Sequence, residues 1–132
     1  MAAASAKAGG DVLIVDDDAI LRDLVADWLE AAGYKVRKAA DCDAACQALK
    51  DGAPALIISD MYMPGACGPA AIAELKRYAP AAALIAVSGY FKSLCGVSAD
   101  QALAAGASRA LAKPVRRSQL LVAVSELIGP PD

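Results

Sequence analysis

The chain has 132 residues, enough for one domain. Apolar residues make up 58 % of it, but 33 of them are alanine, so the larger Leu, Val and Ile side chains fill one aliphatic core and not two. Thirteen basic residues face 15 acidic ones, a formal net charge of −2, and there is no histidine. This excludes Ser-His and Cys-His nucleophile pairs and imidazole metal sites. It also argues against direct nucleic-acid binding, which draws on a basic excess.

Residues 1–10 are small and polar and lack the apolar stretch of a signal peptide. They are expected to form a disordered tail on a cytoplasmic protein. No apolar run approaches the roughly 18 residues of a membrane span, so no membrane association is expected. Residues 12–15 (VLIV) predict a strand buried on both faces. Residues 20–32 repeat Leu21, Leu24, Val25 and Trp28 at helical spacing, and Gly33 stops the helix. Residues 34–39 alternate apolar and charged, as an edge strand does. Asp41 is placed to cap a helix running to about Asp51, with Gly52 and Pro54 as stops.

Residues 55–58 (ALII) predict the next buried strand, ending at Ser59-Asp60. A loop over 61–68 follows. Pro69 suits the first turn of a helix to about Tyr78. Residues 83–87 (ALIAV) predict a fourth strand, and 88–97 a loop. Ser98-Ala-Asp-Gln101 has capping-box spacing and opens a short helix stopped by Gly106. Residues 108–112 predict a fifth strand. Ser118 is placed to cap a last helix, with Leu121, Val124 and Ile128 on one stripe, closed by Gly129-Pro-Pro.

Five strands alternating with five helices predict an α/β domain over 11–129, flanked by tails at 1–10 and 130–132. An open, doubly wound parallel sheet solves this order, because parallel strands need helical crossovers. The four cysteines, Cys42, Cys46, Cys67 and Cys95, form no CxxC pair. They read as free thiols, with Cys42 and Cys46 on one helix face.

Ligands of such a sheet bind beyond the carboxyl ends of the strands. Asp16, Asp17 and Asp18 follow the first strand, Asp60 the third, Ser88 the fourth and Lys113 the fifth. No Gly-rich phosphate loop accompanies them, which disfavours a dinucleotide or NTP site. Clustered carboxylates favour a hard cation such as Mg²⁺, and a carboxylate beside such a cation can accept a phosphoryl group. Lys113 supplies a point charge for phosphate oxygens and Ser88 a hydroxyl donor. Asp18 reads as a helix cap.

The set VLIVDDD, SDMYMPGACG, AVSGY and ALAKPV, in this order and context, resembles the receiver domain of bacterial two-component response regulators. The resemblance covers about residues 11–129. It implies a flavodoxin-like (βα)5 fold with strand order 2-1-3-4-5. It implies Asp60 as phosphoacceptor, and Mg²⁺ held by Asp17, Asp60 and the carbonyl of Tyr62, with Asp16 assisting. It implies that Ser88 and Lys113 engage the phosphoryl group, and that Pro114 makes a cis bond. The donor would be a phosphohistidine on a sensor histidine kinase or phosphotransfer protein. A downstream protein target would read the switched face, and a homodimer through that face is left open.

The sequence departs from the family at Ala110, where an aromatic residue usually serves as the switch. Tyr90, two residues after Ser88, is expected to supply the moving ring instead. The loop near 92–97 is about three residues longer than the family's usual one. Tyr62 and Tyr90 are expected to shield the acyl phosphate from water and prolong its life. The chain closes after its last helix, and a single-domain protein is expected. Two alternatives compete: a receiver-like module that binds partners without phosphorylation, and an Asp-nucleophile phosphatase. The phosphatase usually carries a second acid two residues after the nucleophile, where this chain has Tyr62.

Overall fold

The computed structural model describes residues 11–61, 68–88 and 99–131. The first βα unit pairs β1 (Asp11–Val15) with α1 (Ala19–Ala31), and the second pairs β2 (Lys35–Ala39) with α2 (Cys42–Lys50). Then come β3 (Leu56–Asp60) and α3 (Gly68–Tyr78), β4 (Ala83–Ser88) and α4 (Ala99–Ala105), and β5 (Arg109–Ala112) and α5 (Arg117–Ile128). All strand pairs are parallel, in the order β2-β1-β3-β4-β5. The expected fold class and strand order are both observed.

Alternate side chains of each strand feed two cores, one on each face of the sheet, where the apolar count predicts only one: the buried alanines of both clusters contribute to the packing as well as the larger side chains. Val12, Ile14, Leu56, Ile58, Ile85, Val87 and Leu111 pack under α1 and α5 with Leu29, Leu120 and Val124. Leu13, Val15, Ile57, Leu84 and Ala86 pack under α2, α3 and α4 with Leu49, Ile72 and Leu75. Period-two alternation in a sheet covered on both faces produces this division. It explains why β1, β3 and β4 are almost wholly buried, while β2 at the edge carries Lys35, Arg37 and Lys38.

Helix ends follow local chemistry. Asp18 accepts from the N–H groups of Ile20 and Leu21, and Asp41 accepts from that of Ala44. Gly33 takes φ 107° after α1, and the N–H of Tyr34 donates to the carbonyl of Leu29, the backbone pattern of a glycine-closed helix end. The last helix differs from expectation. Arg116, not Ser118, stands at the N-cap of α5, and no side chain caps it. Its buried residues are Leu120, Ala123 and Val124, with Leu121 and Ile128 only partly buried. The helix starts one residue before Ser118, after the short segment Val115-Arg116 that follows the Lys113–Pro114 bend, which places Ser118 inside the first turn rather than at the cap. Asp60 and Ser88 close their strands rather than follow them, since the ladder continues through the pairs Asp60–Val87 and Ser88–Ala112.

Candidate functional site

The parallel arrangement brings every strand's carboxyl end to one edge of the sheet. Asp16 lies just past β1, and its N–H donates to the carbonyl of Ala39 at the end of β2. Asp60 ends β3 and is 6 % exposed, while Asp17 is exposed. Each of these three acids places a carboxylate oxygen within 4.8 Å of the others. Lys113, one residue beyond β5, donates to Asp60 Oδ2 at 3.1 Å. Its own N–H donates to the carbonyl of Ser88 at 3.1 Å. Ser88 is fully buried at the end of β4. The Lys113–Pro114 peptide bond is cis.

Burial pushes the Asp16 carboxyl up from its ordinary value, the Asp18 N–H on its Oδ1 opposes this, and the Asp60 carboxylate adds to it. Gathering three acids around one ammonium therefore carries an electrostatic cost. A hard divalent cation relieves it, and the donor set is all carboxylate oxygen, as such cations require. These residues fit a divalent metal on their chemistry and spacing.

A cleft of about 460 Å³ opens beside the acids, between α1 and the start of α5. Leu21, Leu24, Val25 and Trp28 form one wall, and Pro114, Val115 and Leu120 the other. The four α1 residues share the apolar face that their helical spacing predicts. The buried residues of α1 are Ala26 and Leu29, Val25 and Trp28 pack partly buried against the same core, and all four larger side chains line the cleft. Leu24 stays 41 % exposed. Helical periodicity finds an apolar face but not what covers it.

The structure thus brings together Asp16, Asp17, Asp60, Ser88 and Lys113. Tyr62, Tyr90 and the long loop near 92–97 lie outside the described residues, as do Cys67 and Cys95. Cys42 is buried and Cys46 half-buried, both free. Burial, with Cys46 alongside, pushes the Cys42 thiol up to about 11, which leaves it unreactive at neutral pH. One residue at the site escaped the sequence reading: Arg22 on α1, whose Nη1 donates to the carbonyl of Asp16 at 2.9 Å. A bond between a helix side chain and a loop carbonyl six residues earlier leaves no periodic signal.

The family model of the response regulator receiver domain matches residues 12–125. The chain belongs to the response regulator receiver domain family. It is 31 % identical to the chemotaxis protein CheY of Thermotoga maritima over 120 residues, covering 90 % of this receiver and 98 % of that protein. It is 39 % identical to the phosphate regulon transcriptional regulatory protein PhoB of Pseudomonas aeruginosa over 69 residues, which is 52 % of this chain but 30 % of that protein. The receiver therefore spans nearly the whole of one relative and under a third of the other. Among solved structures, a CheY-like receiver domain protein from Methanospirillum hungatei superposes with TM-score 0.81 at 29 % identity, covering 90 % of this chain and 93 % of that one. A response regulator from Burkholderia pseudomallei, solved with a phosphorylated aspartic acid, calcium ion and citrate, gives TM-score 0.77 at 30 % identity, with 87 % of this chain and 66 % of that one covered.

Proposed function

We propose that this receiver accepts a phosphoryl group on Asp60, in a Mg²⁺-dependent reaction, from a phosphohistidine on a sensor histidine kinase or phosphotransfer protein. The observation that carries this reading is the convergence of Asp16, Asp17 and Asp60 within 4.8 Å, with Lys113 paired to Asp60. Asp16, Asp17, Asp60 and the carbonyl of Tyr62 are the proposed metal ligands. A bound Mg²⁺ supplies charge neutralisation between the acids and the incoming phosphoryl oxygens.

The chain's own residues do the rest. An Asp60 carboxylate oxygen attacks phosphorus, the bond from phosphorus to the donor nitrogen breaks, and the imidazole leaves with that electron pair. Lys113, already at 3.1 Å from Asp60 Oδ2, moves to the phosphoryl oxygens as a point charge. The Ser88 hydroxyl donates to one of them. The acyl phosphate carries roughly −1.5 to −2 charge where the free carboxylate carried −1, so the sheet edge gains about −0.5 to −1, and this shifts a two-state equilibrium of the β4–β5 face. A downstream protein reads that face, with Tyr90 as the moving ring in place of the residue at Ala110. The domain acts as a switch, not as an enzyme on other substrates. The histidine-free sequence fits a receiver whose imidazole belongs to its donor. The apolar cleft beside Asp60 offers an approaching donor helix nonpolar surface to bury. Among the described residues no helix is long and apolar enough to cross a membrane, and a cytoplasmic location is proposed.

The test is acetyl phosphate with and without Mg²⁺, followed by intact mass. The expected result is a gain of about 80 Da, one phosphoryl group, that needs Mg²⁺ and vanishes in Asp60→Asn. No adduct on the wild-type chain would overturn the proposal and leave a phosphorylation-independent module. Steady release of phosphate from ester substrates would point to a phosphatase instead.

A further inference from the structure

We infer that Arg22 is a positioning residue for the metal half-site, holding Asp17 in place through the peptide that precedes it. This rests on the divalent-cation reading of the acid cluster. Asp17 is exposed, and among the described residues no hydrogen bond holds its carboxylate. The place from which it reaches the other two acids, its Cβ, is therefore set by its backbone. That backbone is pinned on both sides. The Asp16 N–H donates to the carbonyl of Ala39 at 3.1 Å, and the Asp18 N–H donates to Asp16 Oδ1 at 2.9 Å. Asp18 is in turn locked onto α1 by accepting from Ile20 and Leu21.

The peptide plane between Asp16 and Asp17 remains to be fixed. Its carbonyl belongs to Asp16, and Arg22 Nη1 donates to it at 2.9 Å. Rotation of that plane is the combined freedom of ψ at Asp16 and φ at Asp17, so it swings the Cβ of Asp17. Arg22 is fastened at its own backbone, because its N–H donates to the carbonyl of Asp18 at 2.9 Å. The guanidinium thus closes a short ring from the first turn of α1 back onto the acid loop. A cation placed beside a metal site would ordinarily weaken metal binding by repulsion. Here the geometric and the Coulombic roles of Arg22 predict opposite signs, which makes them separable.

The experiment measures Mn²⁺ affinity of the full chain by the electron paramagnetic resonance signal of free ion, with Mg²⁺ as competitor. It compares wild type, Arg22→Lys and Arg22→Met, and each variant's melting temperature is taken in EDTA. The expected result is affinity falling by about tenfold or more in Arg22→Met, the range of losses for outer-shell partners of metal ligands, with part of it recovered in Arg22→Lys. Equal or tighter binding by a folded Arg22→Met would overturn the inference and assign Arg22 a purely Coulombic effect. If Arg22→Met does not fold, Arg22→Lys decides: weaker binding at an unchanged melting temperature supports the inference, and wild-type affinity overturns it. A wild-type chain that binds no Mn²⁺ would overturn the cation reading itself, and so is distinguishable from failure at Arg22 alone.

Discussion

The two ends of the sheet use charge in opposite ways. At the amino end each buried or half-buried polar group meets a partner that neutralises or satisfies it. Arg37 donates to the carbonyls of Ala48 and Gly52 and pairs with Asp11, tying together β2, α2 and β1. Lys76 donates to the carbonyl of Ala82, and the Tyr34 hydroxyl to that of Gly129. Arg109 pairs with Glu126 at 2.8 Å. At the carboxyl end three acids stand together with Lys113 paired to one of them, Asp60, and the Asp16 carboxyl is pushed up by burial. One end is assembled for stability. The other accepts instability that a cation or a phosphoryl group can relieve. The scaffold between them is an apolar sheet packed on both faces.

Substitutions can break or sharpen this contrast. The largest effect is expected from Arg37→Ala, which leaves two carbonyls and Asp11 without their charged donor. A loss of about 2–3 kcal/mol is expected from charge-assisted bonds of this kind, read from urea melts. A loss below about 0.5 kcal/mol would remove the amino end's claim to be the stabilising one.

Asp16→Asn in EDTA should act with the opposite sign, stabilising the metal-free chain at pH 7. The pH dependence follows from the raised value. A carboxyl raised in the fold keeps its proton to higher pH there than in the unfolded chain, so its penalty is absent in acid and fully present above the folded pKa. The advantage of Asn should therefore shrink as pH falls through that folded value. An advantage that grew in acid would contradict the electrostatic account of the site.

Asp18→Ala tests whether the carboxyl end holds its acids by local structure. Loss of the α1 cap should cost about 1 kcal/mol and show as faster amide exchange at Ile20 and Leu21. Unchanged exchange would mean that packing alone anchors the loop. The smallest effect belongs to Lys38→Ala, which removes an exposed pair with Asp23. A change under about 0.5 kcal/mol is expected, and one approaching the roughly 2–3 kcal/mol expected of Arg37 would erase the contrast between an exposed pair and a multiply bonded one.

Legibility in the sequence followed the range of each interaction. Asp18 and Asp41 were readable as caps because a cap bonds within three residues of itself. VLIV, ALII and ALIAV were readable as buried strands because burial on both faces leaves an unbroken apolar run. Asp16, Asp17, Asp60, Ser88 and Lys113 were readable together because a parallel sheet sends all carboxyl ends to one edge. Ser118 misled, since a serine near a helix start carries no information about the corner that launches the helix.

Composition, periodicity and turn chemistry therefore determined the strand and helix order, the doubly wound class and the edge where the acids stand, all consequences of near-neighbour chemistry. Only the tertiary structure decided which groups touch: Lys113 on Asp60, Arg22 on the Asp16 carbonyl, and Leu21, Leu24, Val25 and Trp28 along an open cleft. Those contacts join elements 53 residues apart, or a helix to a loop. Distances between such partners are set by how helices pack on the sheet, a quantity that no local pattern encodes.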